Sequence, residues 1–414
     1  MQKGRPVTAG SKILENFISP IDATIVERLE AAGVKILGKT KMDEFGIAGL
    51  FPGDRADSYG GEGGLDCTAT DGGVAGGSAA VASGAVGAVA EGAADFAFCN
   101  DYTGSVRRQA AERGLCYIHP TYGTVSRYGL IPAVPSMDQI GVVCKTPEAG
   151  FDALCLIAGD DPKDGAMLGD GLRLDERGKL IEERGKIRIG FPSNVSSKTG
   201  VRSAVGGFVK DYEIVDFELM YFDVYAQVMR ILCCAELCGC LTRYDGIKFG
   251  YRASGFRDLH ELYTKSRTEA LGSDVKLASM LGAMVLSHDF YDMYYDKAMR
   301  IRRLIKDSLD FDKYDMIVLP ASYTDAGAGA GADAFADKEL ALRVLPQLCG
   351  LPSVTLPYSV SGGAPSGGSA PGNGPAPGNG SAPSNGSKPG SGITFIADAG
   401  NETLLLSVSK AVQI

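Results

Sequence analysis

Short apolar runs alternate with helix-length amphipathic runs through the first third of this chain. A chain patterned in that way has to build a sheet with helices packed on its faces. Residues 23–32 predict a helix, with Ile25, Val26 and Leu29 on one face, Asp22 at the N-cap and Gly33 at the stop. The run Val34-Lys35-Ile36-Leu37 follows as an expected buried strand. Residues 52–78, rich in Gly, Asp and Ser, read as loop, and 79–90 as a helix of small residues that packs closely. Thr146-Pro147-Glu148 opens another helix with a capping hydroxyl, a proline at the first helical position and an acid in the first turn, and Gly159 closes it. Further along, 187–191 and 316–319 are short and strand-like. Residues 224–237 and 275–305 are helix-length, the second as a surface helix or a helix pair. The expected class is α/β.

A length of 414 residues allows two or three domains, or one large α/β sheet that holds the whole chain. Glycine is the strong compositional deviation, at 56 residues, and part of it is concentrated near the end. Between 362 and 392 the sequence collapses to Gly, Ser, Pro, Asn and Ala in an approximate six-residue repeat, visible as 369–374, 375–380 and 381–386. Such a segment cannot bury enough apolar surface to fold and reads as a flexible insertion. Ordered patterning resumes with Ile393-Thr394-Phe395-Ile396 and a helix capped by Asn401. The expected organisation is therefore a core over 1–361, the insertion over 362–392, and a strand and helix over 393–414 that complete the core.

The balance of 41 basic against 50 acidic residues argues against holding nucleic acid through the chain's own surface charge. No uncharged apolar stretch reaches membrane-spanning length, since Glu91 and Asp95 interrupt the small-residue run 74–98, and no membrane association is expected. The first residues carry no apolar leader core, and the ten cysteines suit a reducing compartment, so a cytoplasmic location is expected.

Several features invite chemistry and have a plainer reading. Cys233, Cys234, Cys238 and Cys240 lie close together, yet on a helix they spread over several faces without a C-x-x-C pair, so packing is expected and no metal. His119, His260 and His288 match no zinc spacing and are expected to be structural. Gly72-Gly73-Val74-Ala75-Gly76-Gly77-Ser78 opens a helix where bare N–H groups can cradle an anion, without the ending of a phosphate loop. Arg300, Arg302, Arg303 and Lys306 read as a solvated helix face or a partner contact.

Taken together, ordered segments along the chain resemble the amidase-signature family and, within it, the A-subunit branch of the glutamyl-tRNA(Gln) amidotransferases. The segments are 8–17, 22–29 and 38–45, then Pro120-Thr121-Tyr122-Gly123, Ser126-Arg127-Tyr128-Gly129-Leu130, Asp138-Gln139-Ile140-Gly141, Arg243-Tyr244-Asp245-Gly246, Ser266-Arg267-Thr268-Glu269 and Gly350-Leu351-Pro352. The resemblance implies a large mixed central sheet flanked by helices and glutamine hydrolysis at a Ser/cis-Ser/Lys triad. It also implies ammonia delivery to partner B and C subunits, with no cofactor.

By that resemblance Ser105 is the candidate nucleophile, and the backbone of Tyr102, Thr103 and Gly104 is the candidate oxyanion hole. Asp101-Tyr102-Thr103-Gly104-Ser105 stands where the family has Asp-Thr-Gly-Gly-Ser, so Thr103 is expected to be strained if its position needs φ > 0. The cis-Ser position is occupied by Val74, which has no hydroxyl to relay a proton, and the interval from Val74 to Ser105 is about seven residues longer than the family spacing. The triad lysine is expected before Met1, since Lys3 and Lys12 match other positions. The arginine and acid expected to hold glutamine fall on Ala278 and Leu340. These losses imply a dead or crippled amidase that acts by binding; the alternative is a working glutamine amidohydrolase with Ser105 as its nucleophile.

Overall fold

The computed structural model describes residues 1–52, 83–168, 186–196, 201–205, 209, 212–322, 332–358 and 391–410. The stretch 53–82, which holds Val74 and the glycine-rich segment around it, and the repeat region 359–390 lie outside the described residues. Eight strands form one sheet: β1 (Phe96–Asn100), β2 (Cys116–His119), β3 (Ile140–Cys144), β4 (Ile187–Pro192), β5 (Tyr212–Phe217), β6 (Met316–Pro320), β7 (Ser353–Tyr358) and β8 (Ser391–Ala397). Their order across the sheet is β1-β3-β2-β7-β8-β6-β4-β5. β4 runs parallel to both β5 and β6, and the other pairs are antiparallel, so the sheet is mixed. β7 and β8 pair in antiparallel register from Ser353–Ile396 to Tyr358–Ser391. Ser391 and Gly392, expected in the insertion, belong to β8.

The described helices of eight residues or more, together with the seven-residue α2, are α1 (Thr24–Ala31), α2 (Gly84–Ala90), α3 (Ser105–Glu112), α4 (Pro147–Ile157), α5 (Tyr225–Leu241), α6 (Leu259–Ala270), α7 (Ser273–Val285), α8 (Lys297–Asp307), α9 (Ala332–Arg343) and α10 (Glu402–Lys410). Alternation along the strands divides them between two faces. Ile317, Leu319 and Ile396 join a core with α5, α7 and the start of α3's loop, while Met316, Val318, Val354 and Phe395 join a second core with Leu29, Phe151, Leu154 and Leu405. α2 and α3 cover Tyr117 and Val143 in a third.

The start of α4 follows its sequence signals: the Thr146 hydroxyl accepts from the Ala149 amide at 3.4 Å, and Pro147 is the first helical residue. Other expectations need correction. α1 has no side-chain cap, because the Asp22 carboxylate accepts from the Lys3 amide at 2.7 Å instead. Residues 34–37 form no strand; Leu37 is exposed, and Val34 and Ile36 only lean on the second core. Four residues in which a lysine interrupts the apolar ones satisfy a strand pattern, but no strand among the described residues pairs with them. The 275–305 stretch is a helix pair, α7 and α8, joined through a π-helical turn at Tyr291–Asp296.

The segment Phe222–Leu241 is apolar and long enough to cross a bilayer by composition, yet it is mostly buried inside the fold and forms the core helix α5. Its cysteines act as small packing residues. A side chain at Gly282 of α7 would collide with the Cys234 carbonyl at 2.1 Å and the Cys238 Cβ at 2.5 Å, so the two helices cross at closest approach there. Burial pushes the Cys240 thiol up to about 11, which keeps it protonated. Of the basic run, Arg302 is structural, bonding to the Leu348 carbonyl and to Ser136, whereas Arg300 and Arg303 pair with Asp296 and Asp307 on the exposed side of α8.

Two substitutions separate the contributions of core and cap. Phe395→Ala, which empties a fully buried position, is expected to lower the unfolding free energy by about 3–5 kcal/mol. Thr146→Ala is expected to lower it by only about 1 kcal/mol. Urea denaturation curves with unchanged slope check both values.

Candidate active site

β1 ends at Asn100, and the chain then turns sharply through residues 101–104 into α3, whose first residue is Ser105. Asp101 makes that turn rigid. Its buried carboxylate accepts from the Val106 amide at 3.0 Å and the Arg107 amide at 3.1 Å, satisfying two of the otherwise orphaned donors of α3. Its carbonyl accepts from the Gln347 side-chain amide at 2.8 Å. One residue earlier, Asn100 donates to Asp138 at 2.7 Å and accepts from the Gln139 amide at 3.0 Å, and Asp138 also accepts from the amides of Ala133 and Val134. Burial raises the Asp138 carboxyl, and these hydrogen bonds oppose that rise.

Tyr102 is buried, with its hydroxyl donating to the Phe45 carbonyl at 2.9 Å. Positive φ falls on Gly104, at 74°, and Thr103 is not among the positive-φ residues, so the expected strain at Thr103 does not arise. Gly104 is doubly required: a Cβ there would sit 2.7 Å from the Arg343 Cβ. The amide groups of Thr103, Gly104 and Ser105 find no hydrogen-bond acceptor among the described residues.

The hydroxyl side differs. Thr103 Oγ1 lies 2.8 Å from the Ala48 carbonyl and 3.1 Å from Ser105 Oγ. The Thr103 hydroxyl is the donor in both contacts, shared between the Ala48 carbonyl and Ser105 Oγ, so Ser105 Oγ accepts from a neutral hydroxyl. Ala48 is held in place in turn, its amide donating to Asp43 at 2.7 Å. The wall that carries Ala48 is also anchored by Glu44, which accepts from the Gly272 amide at 2.9 Å and from the Ser11 hydroxyl.

Beneath Ser105, Arg107 reaches back toward Asp101 and stacks on Tyr117, which stacks on His119. His119 is fully buried, and neither ring nitrogen has a hydrogen-bond partner among the described residues. Burial first and the Arg107 charge second hold it well below its ordinary value, so it is neutral. His260 and His288 lie on the exposed surface. Lys12 is engaged elsewhere, its ammonium over the Tyr251 ring at 4.3 Å. Ala278 and Leu340 are fully buried members of the same core, so no polar group is presented at either position. Among the described residues no cluster of His, Cys, Asp and Glu could hold a metal.

Arg343, at the end of α9, carries no signal in the sequence. It is almost wholly buried, its Nε donating to the Glu339 carbonyl at 3.1 Å, with the Glu339 carboxylate 3.9 Å away. Its terminal nitrogens face Gly49: a Cβ on that glycine would lie 3.2 Å from Nη2, 3.5 Å from Nη1 and 3.6 Å from the Ser105 Cβ. The guanidinium and the serine thus both pack closely against Gly49. Asp101 and Gln347 are further site residues that the sequence reading does not single out, although an acid shortly before a helix start is a recognisable capping pattern.

Comparisons with known proteins point to one family. A family profile described as Amidase matches residues 2–406. The A subunit of glutamyl-tRNA(Gln) amidotransferase from Lachnoclostridium phytofermentans is 38% identical over 374 residues, which covers 87% of this chain and 73% of that protein. Its counterpart of the same name from Neisseria meningitidis serogroup B is 36% identical, covering 87% of this chain and 76% of its own length. In fold, the chain resembles the crystal structure of the Thermotoga maritima A subunit of that amidotransferase, with a TM-score of 0.68 at 23% identity, covering 100% of this chain and 80% of that one. It resembles 6-aminohexanoate cyclic dimer hydrolase to the same TM-score of 0.68 at 17% identity, covering 100% and 83%.

Two measurements test this reading of the site. Gly104→Ala is expected to destabilise the protein by about 2–4 kcal/mol, since it meets both a positive φ and a collision with Arg343, and its urea midpoint should fall accordingly. Because the folded chain keeps His119 neutral while the unfolded chain can protonate it, stability should be full above about pH 6.5 and decline as the pH falls below it, toward the depressed folded value. Urea midpoints for wild type and His119→Gln across that range check this, with a flatter slope expected in the variant.

Proposed function

This chain belongs to the amidase family, and from that premise we propose that it is a relative of the glutamyl-tRNA(Gln) amidotransferase A subunits whose amide hydrolysis is abolished or severely weakened, acting by binding. The observation that carries this reading is the company of Ser105 Oγ. Among the described residues its hydrogen-bond partner is the neutral Thr103 hydroxyl, which donates to it and to the Ala48 carbonyl, and no basic side chain is bonded to it. A serine becomes a nucleophile only when a base removes its proton. Val74 at the relay position supports the same conclusion from sequence, because a valine side chain can neither take nor pass a proton. The partners proposed are the B and C subunits of such an amidotransferase, in the cytoplasm, with glutamine as the ligand class.

A second reading is favoured by the donors rather than the acceptor. The backbone of Tyr102, Thr103 and Gly104, the oxyanion-hole position implied by the family resemblance, leads directly into α3 at Ser105, which supports a retained glutamine amidohydrolase supplying ammonia for transamidation.

Ammonia release from glutamine separates the two. On the first reading, the protein alone or mixed with cognate B and C subunits releases ammonia no faster than Ser105→Ala, a deficit of several orders of magnitude against a working triad. Release that disappears in Ser105→Ala would establish the second. Val74→Ser is expected to raise the rate only if a base is otherwise in place.

A further inference from the structure

Ten of the twenty large apolar side chains that are exposed among the described residues fall between Leu277 and Leu304, on α7, the π-helical turn and α8. Single exposed apolar residues are ordinary, but a concentration of this kind marks a surface made to be covered. One face of α7 is already in use: Val275, Ala278, Gly282 and Val285 are buried, with Gly282 set against α5. At about 3.6 residues per turn, Leu277, Met280 and Met284 project from nearly the opposite side, where a surface helix carries polar residues. Met280 is 64% exposed, and in the turn Met293 is 58% exposed. We infer that α7 and the turn after it are the interface through which two copies of this chain associate about a two-fold axis. The inference goes beyond the reading of amide hydrolysis and does not rest on it.

The make-up and size of the face fit an interface. Residues 277–304 hold four of the chain's eleven methionines, three arginines and four aromatic residues, with one lysine and no glutamate. Interface centres are enriched and depleted in the same sense. The turn's rings pair with one another, Phe290 with Tyr294 at 5.9 Å and Tyr291 with Tyr295 at 5.2 Å between centroids, so they offer a pre-ordered surface. With about 200 Å² for a large side chain, the ten at roughly two-fifths exposure present roughly 800 Å², the share one partner gives to an interface of standard size.

The bordering charges select the occupant. Asp289 and Asp292 are exposed in and beside the turn, whereas Arg300, Arg303 and Lys306 are exposed on α8. The pairs that Arg300 and Arg303 make with Asp296 and Asp307 leave both guanidinium groups about three-quarters exposed and contribute little. A two-fold interface has to complement itself. With the turn of one copy along α8 of the other, acids meet cations, and symmetry repeats the contact. An anionic lipid surface would instead meet Asp289 and Asp292 with repulsion.

Sedimentation equilibrium of the full chain from about 1 to about 100 μM tests this, a range suited to an interface of standard size. The expected mass is that of two chains, falling towards one on dilution. Met280→Glu and Met293→Glu, each at an exposed position, should keep the circular dichroism spectrum and raise the dissociation constant at least about tenfold. A chain carrying Asp289→Lys with Asp292→Lys, and another carrying Arg300→Glu with Arg303→Glu, should each dimerise poorly alone and associate with one another when mixed. A single-chain mass throughout the range, a dimer unmoved by both glutamate substitutions, or no association in the mixture would each overturn the proposal. Should the protein prove a monomer that sediments with phosphatidylserine vesicles, or one whose binding to B and C subunits is lost in Met280→Glu, the face belongs to that occupant and the dimer is refuted.

Discussion

The site depends on one buried carboxylate. Asp101 binds two amides of α3 with its side chain and receives Gln347 on its carbonyl, so it fixes the helix against both β1 and the segment leading to β7. Without those contacts the first turn of α3 would carry orphaned donors inside a protein interior, at a cost of about 1–3 kcal/mol for each group left unpaired. The turn that Asp101 holds is too tight for any residue but glycine at 104, and the direction of the Ser105 side chain follows from it. Asn100 and Asp138 extend the same anchoring to the other side of the sheet's edge.

The sheet tolerates its long insertion for a topological reason. Tyr358 and Ser391 are opposite one another at the end of an antiparallel pair, so a segment of any length that leaves β7 can return to β8 without disturbing the register. Loop closure cost grows only logarithmically with length, by roughly 0.6 kcal/mol for each doubling. The two central strands keep their core through Phe395, Val354 and Leu356, all fully buried.

Much of the fold is legible in the sequence because its signals are local. The capping hydroxyl and first-turn proline of α4 predict its start, and the apolar runs of β4 and β6 predict strands. The 34–37 run misleads because strand pairing is not a local property: the same pattern serves a segment that merely rests on a core. Asp22 does not cap α1 because a competing donor, the Lys3 amide, takes its carboxylate. At the site, Ser105 and Gly104 can be placed from the order of matching segments. The partner of Ser105 cannot, since Thr103 and Ala48 meet only after the 43–50 wall folds over the turn. Arg343 is invisible for the same reason, arriving from 238 positions further along the chain. The strain expected at Thr103 moves one residue on, to a glycine that bears it without penalty.

On the reading proposed for this protein, the two halves of amide hydrolysis have separated. Stabilising negative charge needs donors and cations, and those are backbone groups and a helix start, which a change of side chain cannot easily remove. Taking a proton from a serine needs particular side chains at particular positions, and a single substitution can end it. Among the described residues the Ser105 hydroxyl accepts from the neutral Thr103 hydroxyl, which is shared with the Ala48 carbonyl, and no base is bonded to it. On that reading the turn into α3 is kept because Asp101 and Gly104 are needed to fold it, whatever becomes of the proton on Ser105.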